Sequence, residues 1–231
     1  KFGTTRQESL TWAMNTYLPG KVCEQFPKSR IVAFSTGNVY PLSPVVHGGS
    51  KESDPVEPVG EYAMSCLGRE RIFEHFSRTN GIPVSILRLN YAVELRYGVL
   101  CDLAQKVYYG KPIDLTMGSV NVLWQGTANA YAIQSLLLAN SPPTLLNLAG
   151  AETLSVRRVA EQFGEWFGKT PQFVGSESLN ALLNNAQRVH SLFGYPSVPA
   201  YTVQQWVAQW IKRGKPTLNK PTHFDVRDGK F

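Results

Sequence analysis

The sequence predicts an α/β fold, a parallel sheet covered by helices beside a smaller mixed lobe, on three observations. Two short, unbroken apolar runs, Arg30 to Phe34 and Pro83 to Leu89, flank one helical stretch from Glu61 to Arg78, the order of a β-α-β unit. A loop rich in Pro, Gly and Ser separates the first run from that helix, from Ser35 to about Pro58, and loops of such length inside compact domains are usually functional. Beyond Asn90 the texture changes to short strands between amphipathic helices.

Element by element, Glu8 to Phe26 reads as a helix whose interruption is expected near Pro19-Gly20, because proline cannot continue the hydrogen-bond ladder. Glu61 to Arg78 stops at Asn80-Gly81, a left-handed cap signal. A helix follows from Val99 to Tyr109, then short strands at Ile113 to Leu115 and Val120 to Trp124, a helix from Thr127 to Ala139, and a strand at Leu145 to Leu148. Thr153 or Ser155 suits the N-cap of a helix ending at Phe167-Gly168. Leu179 to Phe193 and Thr202 to Arg213 read as two more helices. Parallel strands offer a ligand their carboxyl ends, so the cleft between the two lobes is the natural site.

Composition narrows the classes. With 43% hydrophobic, 11% aromatic and 17% charged residues, the chain has the balance of a folded domain rather than a disordered one. Its longest apolar stretches, such as Ile31 to Phe34 and Leu136 to Ala139, fall far short of the roughly 20 residues a membrane helix needs, so no membrane partner is expected. Cys23, Cys66 and Cys101 have neither a paired framework nor a metal-ligand spacing, which predicts no metal and a reducing, cytoplasmic setting. The net charge of +6 suits an anionic partner. Basic residues cluster only at Lys212-Arg213-Gly214-Lys215, without interleaved aromatics, which favours a phosphate-bearing small molecule over nucleic acid.

The residues able to carry chemistry gather at two points. Phe34-Ser35-Thr36-Gly37-Asn38-Val39-Tyr40 ends the first strand, and Tyr62-Ala63-Met64-Ser65-Cys66 opens the next helix, with Tyr62 and Cys66 on one face. Tyr62 follows Thr36 by 26 residues. A strand ending in S-T-G-N-V-Y, followed at this interval by a tyrosine opening a helix, resembles the active-site pattern of the extended short-chain dehydrogenases/reductases, the NAD-dependent epimerase/dehydratase family. The resemblance runs through nearly the whole chain, including Leu192-Phe193-Gly194-Tyr195-Pro196. It implies a Rossmann-type parallel sheet, with residues 1–90 and about 119–140 forming the rear of an NAD(P)-binding domain and residues 91–118 and 141–231 forming the substrate-binding lobe. No G-x-x-G-x-x-G turn, which would hold a cofactor pyrophosphate at a helix N-terminus, follows a strand. The front part of the domain is therefore expected to be missing from this chain, and the residues present to belong to a larger folding unit.

The same resemblance assigns roles. Thr36 bonds the reacting sugar hydroxyl, and Tyr62 takes its proton as hydride leaves for NAD or NADP. Ser35, Tyr62 and Asn15 are implied contacts of the cofactor, although Asn15 read from the helix pattern alone equally faces water. Thr36, Asn38, Asn90 and Arg96 are implied contacts of a nucleotide-sugar. Asn90 closes Leu87-Arg88-Leu89-Asn90-Tyr91, one position out of the family register, and Arg96 offers a fork to a diphosphate. In Trp124-Gln125-Gly126-Thr127-Ala128, Thr127 stands where the family carries an aspartate. Family members dimerise through the tyrosine helix, and Ile72, Phe73 and Phe76 are candidates for such a homodimer face or, equally, for a core-facing stripe.

One departure bears on activity. The tyrosine motif, Y-x-x-x-K in the family, is Y-x-x-x-C here, with Cys66 in place of the lysine. A tyrosine in water has a pKa of about 10, so roughly one part in a thousand is phenolate at neutral pH. A lysine ammonium one turn away corrects this, whereas a thiol brings no positive charge and is a weak donor. Arg69 lies seven residues beyond Tyr62, ~10 Å of helical rise. Gly37 and Asn38 replace the Asp-Glu pair of family dehydratases, which ranks an epimerase or reductase above a dehydratase. The expected function is transient hydride transfer on a nucleotide-sugar, with Cys66 in the catalytic set. The alternative is an impaired member that binds a nucleotide or protein partner without turnover.

Overall fold

A computed structural model describes residues 7–230. Strands β1 (Ile31–Thr36), β2 (Val84–Leu89) and β3 (Thr144–Leu148) form a parallel sheet in that order, with Thr36 opposite Leu89 and Leu89 opposite Leu148. The central β2 is buried from Val84 to Arg88, which is why it reads as a continuous apolar run rather than an alternating one. Thr144–Leu148, assigned from sequence to the substrate-binding lobe, belongs instead to this sheet: Leu146 and Leu148 are fully buried against Tyr131 and Val189.

The first helical stretch divides into α1 (Glu8–Trp12), a π turn (Ala13–Tyr17) and α2 (Leu18–Gln25). The break falls one turn before Pro19, not at it. Pro19 has no N–H to return to the carbonyl four residues back, and that carbonyl, of Asn15, accepts Arg69 Nε at 3.2 Å. The helix α3 (Gly60–Asn80) ends at Gly81, φ 69°, as the sequence predicts. It packs so closely on α2 that a Cβ at Gly20 would meet Ile72 and Phe76 at 3.6 and 3.7 Å. Of the three candidates for a dimer face, Phe73 is buried under the sheet with Val84 and Ile86, while Ile72 and Phe76 line a groove shared with Trp12 and Tyr17.

The second lobe is built on α4 (Val99–Tyr108), α6 (Val156–Phe167) and α8 (Ala200–Lys212), whose buried faces meet around Leu100, Leu103, Phe163, Val203 and Val207. Ser155, not Thr153, caps α6 by accepting the Arg158 N–H at 3.3 Å. Between them, α5 (Gln125–Gln134) and α7 (Gln187–Phe193) cover β3. Two expectations fail here. The helix expected from Leu179 begins only at Gln187, because Asn180–Ala181 pair with Ser43–Pro44 and the backbone of Ser50 bonds Leu183 and Asn185. Val120 to Trp124 divides into Ser119–Val120 and Leu123–Trp124, which pair with different partners. Among the described residues no helix is long and apolar enough to cross a membrane.

A buried polar network ties the helix bearing Tyr62 to all three strands. Arg88 on β2 and Glu70 on α3 are 4% and 3% exposed and meet as a two-pronged pair, Nε to Oε1 at 3.0 Å and Nη2 to Oε2 at 2.7 Å. Ser35 Oγ on β1 donates to Glu70 at 2.5 Å, Arg88 Nη1 donates to the Tyr40 hydroxyl at 2.6 Å, and that hydroxyl donates to Asn147 Oδ1 on β3 at 3.0 Å. Burial pushes the Tyr40 hydroxyl pKa up, against the opposing charge of Arg88. Arg88→Met would leave the Glu70 carboxylate buried without its counter-charge, and denaturant unfolding should record a loss of about 3–5 kcal/mol. Arg88→Met combined with Glu70→Met should lose less than Arg88→Met alone, and an unchanged midpoint in Arg88→Met would refute the network's role.

Candidate active site

Successive residues of a strand point to opposite faces, and the end of β1 uses both. Ser35 turns inward, and its hydroxyl donates to Glu70. Thr36 turns to the cleft, where its Oγ1 accepts Asn38 N at 3.2 Å and Asn38 Nδ2 at 3.1 Å. With its lone pairs so occupied, Thr36 has its own proton to give. Tyr62, in the first turn of α3, lies near enough to Thr36 and Cys66 for both to act on its phenol, and it shares one wall of the cavity with Thr36.

The electrostatics of this trio set what it can do. Burial pushes the Tyr62 pKa well above 10, Cys66 pushes it further, the Thr36 hydrogen bond opposes both, and the Arg69 charge opposes least. Cys66 is fully buried with Val39, Tyr40 and Tyr62. Burial raises its thiol above 9.0, against the opposing pull of Arg69 and Tyr62. At neutral pH both groups therefore carry their protons. Asn15 is buried, not facing water, and its Nδ2 donates to Ser65 Oγ at 3.0 Å. Arg69 reaches the site after all, but its guanidinium is tied to the backbone and side chain of Asn15 and to the Phe34 carbonyl.

Thr36 and Tyr62 open onto a cavity of about 400 Å³ at the carboxyl ends of the strands, lined also by Asn38, Asn90 and Tyr91. Asn90 is buried, with Nδ2 donating to Asn121 Oδ1 at 2.9 Å. Arg96 pairs with Glu94 at 3.1 Å and lines the adjoining groove rather than the cavity itself. Among the described residues no cluster of three or more His, Cys, Asp or Glu side chains is arranged to hold a metal.

The sequence matches no protein-family model and no curated protein. Solved structures do match. The UDP-glucose 4-epimerase of Thermus thermophilus, in complex with NAD, aligns with a TM-score of 0.71 at 18% identity over 84% of this chain and 67% of its own. The dTDP-glucose 4,6-dehydratase of Bacillus anthracis, also with NAD, aligns at 0.74 and 18% identity over 92% of this chain and 71% of its own. The UDP-glucuronic acid 4-epimerase of Bacillus cereus, in complex with UDP-glucuronic acid and NAD, aligns at 0.72 and 17% identity over 86% and 67%. The chain has the extended short-chain dehydrogenase fold.

Within this extended short-chain dehydrogenase fold, several site residues carry no sequence signal of their own. Asn121 Nδ2 donates to the Asn184 carbonyl at 2.6 Å, and both asparagines are buried behind the cavity. The Asn184 side chain lies over Gly37, where a Cβ would come within 2.6 Å of its Oδ1. The only hint in the sequence is the glycine itself, set between Thr36 and Asn38. Gly37→Ala should therefore destabilise the fold by about 1–3 kcal/mol through overpacking. Gly37→Ala with Asn184→Ala should cost less than the sum of the two single changes in thermal unfolding. Simple additivity would show that Asn184 does not hold the Thr36 loop.

Proposed function

We propose that the protein is a nucleotide-sugar epimerase or reductase working by transient hydride transfer to NAD, slowed at neutral pH by the thiol at position 66. The observation that carries this reading is that Thr36, Asn38, Tyr62 and Asn90 line one cavity at the strand ends. Solved structures of the same fold contain NAD, and two of them act on UDP-sugars by name. The residues present fit NAD on its reacting side, since a Thr-Tyr pair faces the cavity. Cys66, fully buried, adds neither a charge nor a strong donor there. When bound, NAD would take up the hydride and return it.

The chain's own residues do the rest. Asn38 fixes the Thr36 hydroxyl, Thr36 gives its one proton to the oxygen of the sugar hydroxyl, and Tyr62 removes that hydroxyl's proton as the carbonyl forms. The rate follows the phenolate fraction. With the Tyr62 pKa raised above 10, that fraction grows about tenfold per pH unit throughout the range from pH 7 to 10, without reaching a plateau. Gly37 and Asn38 bring no carboxylate, so elimination lacks its acid-base pair, and epimerisation or simple reduction is the reaction these residues serve.

A second reading, a member that binds a nucleotide without turnover, draws on the same facts: Tyr62 and Cys66 both stay protonated at neutral pH. One assay separates the two. In the full-length protein, sugar-nucleotide-dependent change of NAD(P) absorbance should be weak at pH 7, climb steeply to pH 10, increase at pH 7 in Cys66→Lys, and vanish in Tyr62→Phe. A pH-independent rate that Cys66→Lys abolishes would give Cys66 a role of its own. No turnover at any pH, in the natural protein or in Cys66→Lys, would leave the binding reading.

A further inference from the structure

Beyond α8 the described residues have no regular structure, yet they are fastened along their length. The Leu218 N–H bonds the Arg96 carbonyl at 3.0 Å, and Thr222 donates both N–H and hydroxyl to Asp102 Oδ2, at 2.8 and 2.6 Å. Arg227 donates to the Thr116 and Asn180 carbonyls at 2.9 and 3.1 Å. Gly229 lies backbone against Gly60, the first residue of the helix that carries Tyr62.

Where this strap passes the cavity, two bulky residues adopt left-handed backbone: His223 at φ 53° and Tyr91 at φ 40°. Such conformations cost energy in residues with large side chains and persist where the surroundings dictate them, which is commonly at functional sites. Here the Tyr91 hydroxyl donates to the Phe224 carbonyl at 3.4 Å, and the Phe224 ring is buried in the core of the second lobe. Both strained residues line the cavity that Thr36 and Tyr62 open onto.

The strap is also a wall between two spaces. Lys220, His223 and Phe224 line the cavity on one side and, on the other, a groove of about 840 Å³. That groove holds the cations Arg96, Lys106, Lys111, Lys215 and Lys220 against the acids Asp102 and Asp225. Asp225 is paired with Lys106 at 3.4 Å and Arg96 with Glu94 at 3.1 Å, and Lys111 and Lys215 outnumber Asp102, so the groove keeps a surplus of positive charge. A ligand with an uncharged reacting end and an anionic remainder is complementary to a cavity opening past Lys220 and His223 into such a groove.

We propose that the strap Leu218–Val226 is the anion-recognition element of this protein, with Lys220 and His223 placed to hold the diphosphate of a nucleotide-sugar whose reacting hydroxyl lies at Thr36 and Tyr62. The inference rests on the hydride-transfer reading for the position of the sugar, and it moves recognition of the diphosphate from Arg96 to the strap. A lysine and a histidine facing the same ligand each supply a donor to phosphate oxygens, and the groove's surplus charge draws the ligand in.

Calorimetric titration of the full-length protein with UDP, uridine and inorganic pyrophosphate at low salt tests this. The natural protein should bind UDP and pyrophosphate in preference to uridine. Lys220→Ala and His223→Asn should each weaken UDP about five- to tenfold, while Lys28→Ala, an exposed lysine before β1 at the opposite end of the strands, leaves it unchanged. Asparagine tolerates left-handed backbone, so His223→Asn removes the imidazole while keeping the strap's path, and Lys220→Ala tests the strap independently if His223→Asn unfolds early. Tyr62→Phe should bind UDP as the natural protein does. UDP binding that survives both strap changes, falls equally in Lys28→Ala, or is no tighter than uridine overturns the proposal, as does displacement of UDP by an equimolar single-stranded oligonucleotide. Strap-dependent UDP binding in a protein without turnover would leave this inference standing and remove the hydride-transfer reading. Turnover with strap-independent binding would do the reverse.

Discussion

The buried pair of Arg88 and Glu70 is the constraint on which the rest of the molecule depends. It joins the central strand to the helix that opens with Tyr62, and it is almost wholly removed from water. Two charges in such a place are tolerated only when their geometry is good and their remaining hydrogen-bonding capacity is met. Ser35, Tyr40 and, through Tyr40, Asn147 meet it, which draws in the end of β1, the loop after it and β3. Glu70 lies four residues past Cys66 and eight past Tyr62, on one face of α3. Fixing Glu70 fixes the rotation of that helix, and with it the direction in which Tyr62 and Cys66 point.

The same burial that fixes the geometry in this way works against ionisation. A phenol set beside a threonine hydroxyl and a thiol, partly buried in the cavity wall, loses more from desolvation than Thr36 and Arg69 return. Arg69 is the nearby cation, and its guanidinium is spent on Asn15 and the Phe34 carbonyl, where it closes the π turn onto α3. The proposed hydride transfer would thus start from a tyrosine in its acid form at neutral pH. The arrangement favours binding over turnover unless the pH is raised or a charge is added.

How much of this was legible in the sequence depended on whether the signal was local. The runs Arg30 to Phe34 and Pro83 to Leu89 announced β1 and β2 because a strand buried on both faces carries no alternation to misread. The interval from Thr36 to Tyr62 marked two residues that line one cavity. Asn15 stayed ambiguous, since helical periodicity says which residues share a face and not whether another helix covers it. The partners of Ser35 and Arg96, Glu70 and Glu94, were not legible, because spacing along the chain does not reveal them. The segment from Leu179 has helical composition, but its backbone bonds are taken by Ser43–Pro44 and Ser50. The strap from Leu218 to Val226 was invisible, because it has no periodicity and is held wholly by contacts distant in sequence.

The claim on which the account turns is that Tyr62 keeps its proton at neutral pH. Selective labelling of the tyrosine ζ-carbon with carbon-13 reads this directly, since the shift of that carbon reports the phenol and phenolate forms, and comparison with Tyr62→Phe identifies its signal among the 10 tyrosines. The account predicts a Tyr62 resonance that holds its phenol shift from pH 6 through pH 10. Movement of that resonance to the phenolate position below pH 8 would contradict it, because the thiol at position 66 would then not be what limits the site.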